Sequence, residues 1–256
     1  NNIDVFMGEG RLVAKNQLSV KAEDGSEQVL EGKNIIIATG ATPFSIPGIE
    51  VDGEKVLTYQ EAILQEKRPE TVVIIGAGAI GMEFATIWSS YGTKVTLVEM
   101  LPRVLPLADA EVSDEVAKGF KKAGIDVLTS HKVLGVEKTD TGVKVKVSSE
   151  EGEKTLEAEQ ALMAIGFKPN SKNLGLEEVG IAISSRGFIE IDERMATNVE
   201  GIWAVGDVTG KFMLAHVASA MGIICAEHIA GVETVKLDYR MMPSATYCHP
   251  QAAWFG

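Results

Sequence analysis

Three glycines and one glutamate have the types and the spacing of a dinucleotide site. Gly76, Gly78 and Gly81 form the pattern GxGxxG, and Glu99 follows the first of them by 23 residues. In this pattern the first glycine permits a tight turn, the second lets a pyrophosphate approach the backbone, and the third lets a helix pack closely on a strand. An acid about 20 residues later accepts hydrogen bonds from the adenosine ribose and repels a 2′-phosphate. The spacing therefore predicts NAD binding, and only the nearby Arg103 argues for NADP.

The residues around the pattern predict the strand–turn–helix context that such a site requires. Val72–Ile75 is a run of β-branched residues typical of a buried strand, and Met82–Tyr91 predicts an apolar helix. Lys94–Val98 predicts the next strand, which ends at Glu99. The alternative is an ordinary glycine turn with a surface glutamate, which the complete order of elements disfavours.

Periodicity and turn residues predict the remaining elements. Further strands are expected at Gln17–Ala22, Glu27–Leu30, Asn34–Gly40, Ile125–Leu128, Val133–Lys138, Val143–Val147, Thr155–Ala158, Gln160–Ile165 and Ile202–Val205. Helices are expected at Tyr59–Gln65, Asp109–Ala123 and Met213–Ile229. Asp238–Gly256 is expected to be irregular, because it contains two prolines and no clear period.

Composition excludes several classes of function. The 256 residues suffice for one large or two modest domains. With a net charge of −12 and no basic stripe, nucleic acid is not an expected partner. No apolar run reaches the length of a membrane span, and the four histidines show no ligand spacing, so neither a membrane nor a metal is expected. Two distant cysteines favour a reducing compartment, the cytoplasm or a mitochondrial matrix.

Eight motifs together resemble the flavoprotein pyridine nucleotide–disulfide oxidoreductases, in that family's order and over essentially the whole chain. The motifs are GEGRL (Gly8–Leu12), IIIATGATP (Ile35–Pro43), VVIIGAGAIGMEFA (Val72–Ala85), VTLVEM (Val95–Met100), AIGFKPN (Ala164–Asn170), TNVEGIWAVGD (Thr197–Asp207), MLAHVASAMG (Met213–Gly222) and YCHPQAAWFG (Tyr247–Gly256).

The resemblance implies an α/β architecture, the two-dinucleotide-binding-domain flavoprotein fold. A Rossmann-like NAD domain at residues 47–169 would be inserted in a partial FAD domain made of residues 1–46 and 170–240. Residues 241–256 would begin an interface domain that pairs two subunits.

The resemblance also implies two sets of binding residues. The expected NAD-binding residues are Gly76, Gly78, Ala79, Ile80, Gly81, Glu83, Glu99, Val133 and Gly166. The expected FAD-binding residues are Gly10, Thr39, Gly40, Asp207, Met213, Leu214, Ala215 and His216.

The activity that the resemblance implies most closely is oxidation of dihydrolipoamide through a protein disulfide and FAD, with reduction of NAD. A homodimer would serve a 2-oxo acid dehydrogenase complex or the glycine cleavage complex. Two alternatives stay open within the family, a mercuric reductase and an NADH oxidase. A third alternative is a nucleotide-binding module without catalysis of its own.

The sequence also departs from the family's pattern. The redox pair CxxxxC, a first GxGxxG for FAD and the catalytic histidine of the interface domain do not occur among these residues. No catalytic residue is therefore expected in this chain, which should bind NAD without retaining FAD or turning over lipoamide. Cys225 is expected to be a core cysteine and Cys248 a structural one, His216 a backbone contact, and Gln251 replaces a glutamate common in the family.

Overall fold

Seventeen strands and four α-helices are present within residues 2–256, the part of the chain that the computed structural model describes. The strands are β1 (Glu9–Ala14), β2 (Gln17–Lys21), β3 (Glu27–Glu31), β4 (Ile35–Ile37), β5 (Ala41–Pro43), β6 (Val56–Leu57), β7 (Thr71–Ile75), β8 (Lys94–Val98), β9 (Asp126–Leu128), β10 (Lys132–Lys138), β11 (Val143–Ser149), β12 (Gly152–Ala158), β13 (Gln160–Met163), β14 (Phe167–Pro169), β15 (Ile202–Ala204), β16 (Ser244–Thr246) and β17 (Ala252–Trp254). The α-helices are α1 (Tyr59–Ala62), α2 (Ala79–Ser90), α3 (Ala110–Lys122) and α4 (Ala215–Ile229), and short 3₁₀ helices span Gly206–Thr209 and Tyr239–Met241.

The chain divides into two compact units, each built from two stretches of sequence. The first unit comprises the residues up to Thr42 and Lys168–Met242, and the second comprises Pro43–Phe167 and Pro243–Gly256. The sequence analysis assigned residues 241–256 to an interface domain, and of these Pro243–Gly256 belong to the second unit. The assignment of the units to FAD and to NAD stays a prediction.

A five-stranded parallel sheet forms the centre of the second unit, in the order β6-β13-β7-β8-β9. Successive side chains of a strand point to opposite faces, so an uninterrupted apolar strand needs cover on both. Val72 and Ile74 of β7 pack in one cluster with residues of α2 and α3. Val73 and Ile75 pack in another with residues of β11. The apolar run at β7 was thus correctly predicted to be a buried strand.

The second face of that sheet is covered by the antiparallel meander β10-β11-β12. Val143, Val145 and Val147 are buried, while Lys144 and Lys146 between them are exposed and form ion pairs with glutamates of β12. The strict alternation in the sequence therefore predicted this half-buried strand correctly.

Helix α3 begins and ends at the residues that its sequence indicates. Asp109 precedes it and accepts the N–H of Glu111 at 3.0 Å, which satisfies one free donor of the first turn. Val116 and Phe120 are buried on one face. Gly124 follows the helix with φ +78°, a conformation that favours glycine at this position.

The first unit contains an antiparallel sheet β1-β2-β3 and the parallel pair β4 and β15. Ile37 and Ile202 from the parallel pair pack with Leu12 and Ile189. Val217, Met221 and Cys225 of α4 form a second cluster with Met195. The strands predicted at Gln17–Ala22 and Glu27–Leu30 are confirmed as β2 and β3, and they pair as an antiparallel hairpin.

Several predicted elements differ from those observed. Helix α1 is a single turn capped by Thr58 and Glu61, and Ile63 and Leu64, which follow it, are exposed. Helix α2 begins at Ala79 rather than at Met82. The segment after Asp238 is not irregular throughout, because β16 and β17 pair as an antiparallel hairpin.

Within residues 2–256, no helix combines the length and the apolar character that crossing a membrane requires.

Candidate dinucleotide-binding site

The glycine turn follows β7 directly, and its first and third glycines are required by close contacts. Gly76 has φ +106°, and a Cβ built on it would lie 2.4 Å from the carbonyl oxygen of Ala164. A Cβ on Gly81 would lie 1.9 Å from the carbonyl oxygen of Gly76. Any side chain at either position would therefore force the turn away from β13 or α2 away from β7.

The second glycine of the pattern faces open space. A Cβ built on Gly78 meets no protein atom within 4 Å. Gly78 is also the N-cap of α2, and no side chain caps this helix end. Free N–H groups and the positive end of the helix dipole thus lie beside a space that the protein leaves empty, which fits a phosphate group.

Glu99 lies at the end of β8 and is bonded to the glycine turn. Its side chain is only 8 % exposed. Its Oε2 accepts the N–H of Ala77 at 2.7 Å, and its Oε1 accepts the N–H of Leu101 at 2.8 Å. The predicted ribose-binding acid and the predicted phosphate-binding turn are therefore in direct contact at the carboxyl edge of the sheet, where ligands bind in open α/β folds.

The remaining residues predicted for NAD have different surroundings, and only some of them adjoin the glycine turn. Ala79 and Ile80 form the first turn of α2, and Gly166 follows β13 with φ +108° and with open space on its Cβ side. Val133 is buried in the core beneath the meander. Glu83 is half-buried, and its Oε1 accepts the N–H of Tyr247 at 2.8 Å.

In the first unit, the small residues after β4 are held by one asparagine. Asn170 donates from Nδ2 to the carbonyl oxygen of Thr39 at 2.9 Å and from its backbone N–H to that of Gly40 at 3.0 Å. The hydroxyl of Thr39 donates to the carbonyl oxygen of Asn170 at 2.7 Å. The sequence analysis quoted Asn170 only within a motif. Its ability to bond a backbone from both ends was the signal that could have indicated this role.

Asp207 follows β15, which is the parallel neighbour of β4. Its carboxylate therefore lies at the same sheet edge as Thr39 and Gly40. Burial raises the pKa of the Asp207 carboxyl, and no side-chain hydrogen bond to that carboxyl is found within the described chain. A partly buried carboxylate without a compensating donor at a strand end is typical of a binding site.

The other residues predicted for FAD lie on β1 and around the start of α4, both in the first unit. Met213 is 40 % exposed, and Leu214 is the N-cap of α4, which has no side-chain cap. Ala215 and His216 form the first turn of that helix. Gly10 lies on β1 and is exposed.

Both cysteines are buried and neither forms a disulfide. Burial raises the pKa of Cys225 to about 11, so this thiol is protonated at neutral pH. Burial and then the charge of Glu83 raise the pKa of the Cys248 thiol. Since the thiolate is the reactive form, both side chains behave as core residues, as the sequence predicted for Cys225. Among residues 2–256, no cluster of His, Cys, Asp and Glu could hold a metal ion.

A twisted parallel sheet, a glycine turn at an uncapped helix end and an acid at the next strand end define an α/β protein of the Rossmann type. The model of the pyridine nucleotide-disulphide oxidoreductases matches residues 1–222. The chain therefore belongs to the pyridine nucleotide-disulphide oxidoreductase family.

Curated proteins similar to this chain include dihydrolipoyl dehydrogenases. The one from Mycobacterium leprae is 46% identical over 260 residues, and the one from Zymomonas mobilis is 42% identical over 258 residues. Each comparison covers 100% of this chain but only 56% and 55% of the relative. The chain thus spans little more than half the length of the curated relatives that it matches.

Two solved structures share the fold of this chain. LpdA from Mycobacterium tuberculosis has a TM-score of 0.91 at 31% identity, covering 97% of this chain and 55% of that one. The HOCl-induced flavoprotein disulfide reductase RclA from Escherichia coli has a TM-score of 0.87 at 27% identity, covering 99% and 57%. The predicted α/β flavoprotein fold is therefore confirmed.

Proposed function

We propose that the second unit binds NAD. The open space beside Gly78, the uncapped start of α2 and the nearly buried carboxylate of Glu99 support this proposal. The glycine turn would receive the pyrophosphate, and Glu99 would accept hydrogen bonds from the adenosine ribose. The full proposed set is Gly76, Gly78, Ala79, Ile80, Gly81, Glu83, Glu99, Val133 and Gly166.

The first unit would contact FAD in the whole protein. The carboxylate of Asp207, which lacks a donor at the edge formed by β4 and β15, supports this part of the proposal. A hydroxyl of the ligand would supply the hydrogen-bond donor that this carboxylate lacks. The other proposed contacts are Gly10, Thr39, Gly40, Met213, Leu214, Ala215 and His216.

The whole protein would be a dihydrolipoyl dehydrogenase, which oxidises dihydrolipoamide and reduces NAD⁺. FAD, when bound, supplies the electron transfer between a dithiol and the nicotinamide. The residues of this chain would bind and orient: Glu99 fixes the adenosine end, the Gly76–Gly81 turn holds the phosphates, and Asp207 anchors the flavin's polyol chain. A homodimer that serves a 2-oxo acid dehydrogenase or glycine cleavage complex belongs to the same proposal.

One observation is central to this proposal. The hydrogen bond from Ala77 to Glu99 joins the proposed ribose acceptor directly to the proposed phosphate-binding turn. An accidental glycine turn would not need a nearly buried carboxylate of this kind. The curated relatives at 42% to 46% identity support the choice of dihydrolipoamide oxidation as the proposed activity.

Two measurements test the proposal. Thermal unfolding of the 256-residue chain should shift upward with NAD⁺, since a ligand at 100 times its Kd adds about 2.7 kcal/mol to stability. The protein in its full natural length should reduce NAD⁺ with dihydrolipoamide. A chain that shows no shift with millimolar NAD⁺ or NADH does not bind NAD, and a full-length protein inactive with dihydrolipoamide is not this dehydrogenase.

A second candidate is another flavoprotein disulfide reductase. The structural similarity to RclA, with a TM-score of 0.87 over 99% of the chain, supports this second candidate. An NAD-dependent shift combined with activity on a different oxidant, and none on dihydrolipoamide, would select this candidate. An NAD-dependent shift without any redox activity would indicate a nucleotide-binding module.

A further inference from the structure

The residue between the first two glycines of the turn is held on both sides by the loop that follows β8. Ala77 is fully buried. Its N–H donates to Oε2 of Glu99 at 2.7 Å, and its carbonyl oxygen accepts the N–H of Leu105 at 2.8 Å. Both backbone polar groups of Ala77 are thus used by residues of one loop, which leaves the turn little freedom to move.

The same carboxylate also fixes its own loop. Oε1 of Glu99 accepts the N–H of Leu101 at 2.8 Å, while Oε2 accepts that of Ala77. Two N–H donors therefore point at one side chain, and only a group with two acceptor oxygens can receive both. A glutamine would present its NH₂ group to one of the donors, and an unpaired buried N–H is unfavourable.

The loop keeps this arrangement at the expense of backbone strain. Leu105 is buried and has φ +44°, a left-handed conformation that is unfavourable for leucine. Its N–H is bonded to Ala77, and its carbonyl oxygen accepts the N–H of Ala108 at 2.8 Å. Strained backbone of this kind persists where surrounding contacts determine it, and it clusters at functional sites.

We infer that Glu99 is a positioning residue for the pyrophosphate-binding turn as well as a contact for the ribose. This inference rests on the proposed NAD site. Each carboxylate oxygen has two acceptor positions, so ribose hydroxyls can bind Glu99 without displacing Ala77 or Leu101. Affinity for the phosphates and preference for NAD over NADP are then coupled through one carboxylate. Replacing Glu99 to admit a 2′-phosphate would weaken the binding of both dinucleotides.

The test uses a ligand that cannot contact Glu99. An NAD⁺ analogue whose adenosine ribose lacks both the 2′- and the 3′-hydroxyl keeps the pyrophosphate but loses the ribose contact. Its Kd should rise about ten-fold in Glu99→Ala and Glu99→Gln, the loss expected for a hydrogen bond to a charged group. If Glu99 acts through the ribose alone, the analogue binds the variants and the unmodified chain equally, and the inference is wrong.

A second measurement needs no ligand. Hydrogen exchange of the Ala77 amide should become at least about ten-fold faster in Glu99→Ala, because that substitution removes both acceptor oxygens. Unchanged exchange would contradict the inference. Glu99→Asp keeps two acceptors on a shorter side chain, so it should show intermediate effects, and it replaces the alanine variant if that one does not fold.

Glu61→Gln is the matched control. Glu61 accepts the N–H of Thr58 at 2.8 Å in the same unit, but it does not contact the glycine turn. This variant should lose stability without changing the Kd of the analogue. If it weakens the analogue as Glu99→Gln does, general destabilisation explains both and the inference fails. If the unmodified chain binds neither NAD⁺ nor the analogue, the proposed function fails, while Ala77 exchange still decides whether Glu99 holds the turn.

Discussion

Oε1 of Glu83 accepts the backbone N–H of Tyr247 at 2.8 Å, across 164 residues of sequence. One turn further along α2, Oγ1 of Thr86 accepts the N–H of His249 at 3.3 Å. Positions three apart lie on the same face of a helix, so two side chains of α2 bond alternate residues of one segment. Cys248 from that segment is buried in the same cluster as α2. The segment after Pro243 is therefore part of the core of the predicted NAD-binding unit.

Substitution of Gly119 should show how closely this segment packs. A Cβ on Gly119 would lie 2.2 Å from Cδ of Pro250. Gly119→Ala should therefore lower the free energy of unfolding by about 1–3 kcal/mol in urea denaturation, because the segment must shift. Gly222→Ala in α4 meets nothing within 4 Å and should instead stabilise by about 0.5–1 kcal/mol. A Gly119→Ala chain as stable as the unmodified one would show that the packing is loose.

Alanine should affect NAD⁺ binding at Gly78 but folding at Gly81. Because a Cβ on Gly78 meets no protein atom, Gly78→Ala should change stability by less than about 0.5 kcal/mol, yet its methyl group would occupy the space proposed for the pyrophosphate. Calorimetric titration should show at least a ten-fold weaker affinity for NAD⁺, or about 1.4 kcal/mol. Gly81→Ala should fail to fold normally, since its Cβ would lie 1.9 Å from a carbonyl oxygen. Unchanged NAD⁺ affinity in Gly78→Ala would place the phosphates elsewhere.

Local sequence patterns predicted the strands of the central sheet. The features that were not predicted depend mostly on contacts between residues distant in sequence. The alternation at Val143–Val147 and the apolar run at Val72–Ile75 reflect burial on one or two faces, which any sequence window reveals. Hairpin β16–β17 is short, and it is held by contacts with α2 that no local pattern encodes. The bonds from Asn170 to the Thr39–Gly40 backbone also join residues distant in sequence, and only the hydrogen-bonding capacity of asparagine indicated them. At α1, the Thr58–Glu61 capping box is a local signal that the sequence analysis overlooked.

Cofactor preference should follow the charge at the end of β8. NAD(H) should bind more tightly than NADP(H), because the carboxylate of Glu99 would face a 2′-phosphate in a poorly hydrated position. Glu99→Ala should narrow the ratio of the two dissociation constants. Adding Pro102→Arg next to the exposed Arg103 should reverse the preference, so that NADP(H) binds more tightly than NAD(H). Fluorescence titrations with NADH and NADPH measure the ratio, and tighter NADPH binding by the unmodified chain would overturn the assignment.

The loop before β6 should make stability depend on pH in the acid range. Burial opposes ionisation of Asp52, but the N–H groups of Glu54, Lys55 and Val56 together with Lys138 outweigh it, so the pKa of this carboxyl lies well below its usual range. A lowered carboxyl pKa gives stability that is present above about pH 4 and lost as the pH falls below that. Asp52→Asn should cost about 1–2 kcal/mol at pH 7 in urea denaturation, and the difference should shrink below pH 4. A difference that is constant with pH would exclude the carboxylate as its source.

The partly buried carboxyl of Asp207 should make the free energy of unfolding depend on pH in the opposite direction. Burial raises its pKa, so between its unfolded pKa near 4 and its folded pKa the native chain binds more protons than the unfolded one. The contribution of Asp207 to stability is therefore most favourable at low pH and declines as the pH rises through the folded pKa. Asp207→Asn should stabilise the ligand-free chain at pH 7, by less than about 1 kcal/mol because the group is partly exposed, and should have no effect below about pH 4. Urea denaturation of both chains at several pH values between 4 and 7 measures the difference.

The same substitution, Asp207→Asn, should weaken the binding of flavin by the protein in its full natural length, because it replaces the proposed anionic acceptor. Such a trade of stability for binding is expected of a ligand-binding carboxylate, and an Asp207→Asn chain that is less stable than the unmodified chain at pH 7 would contradict it.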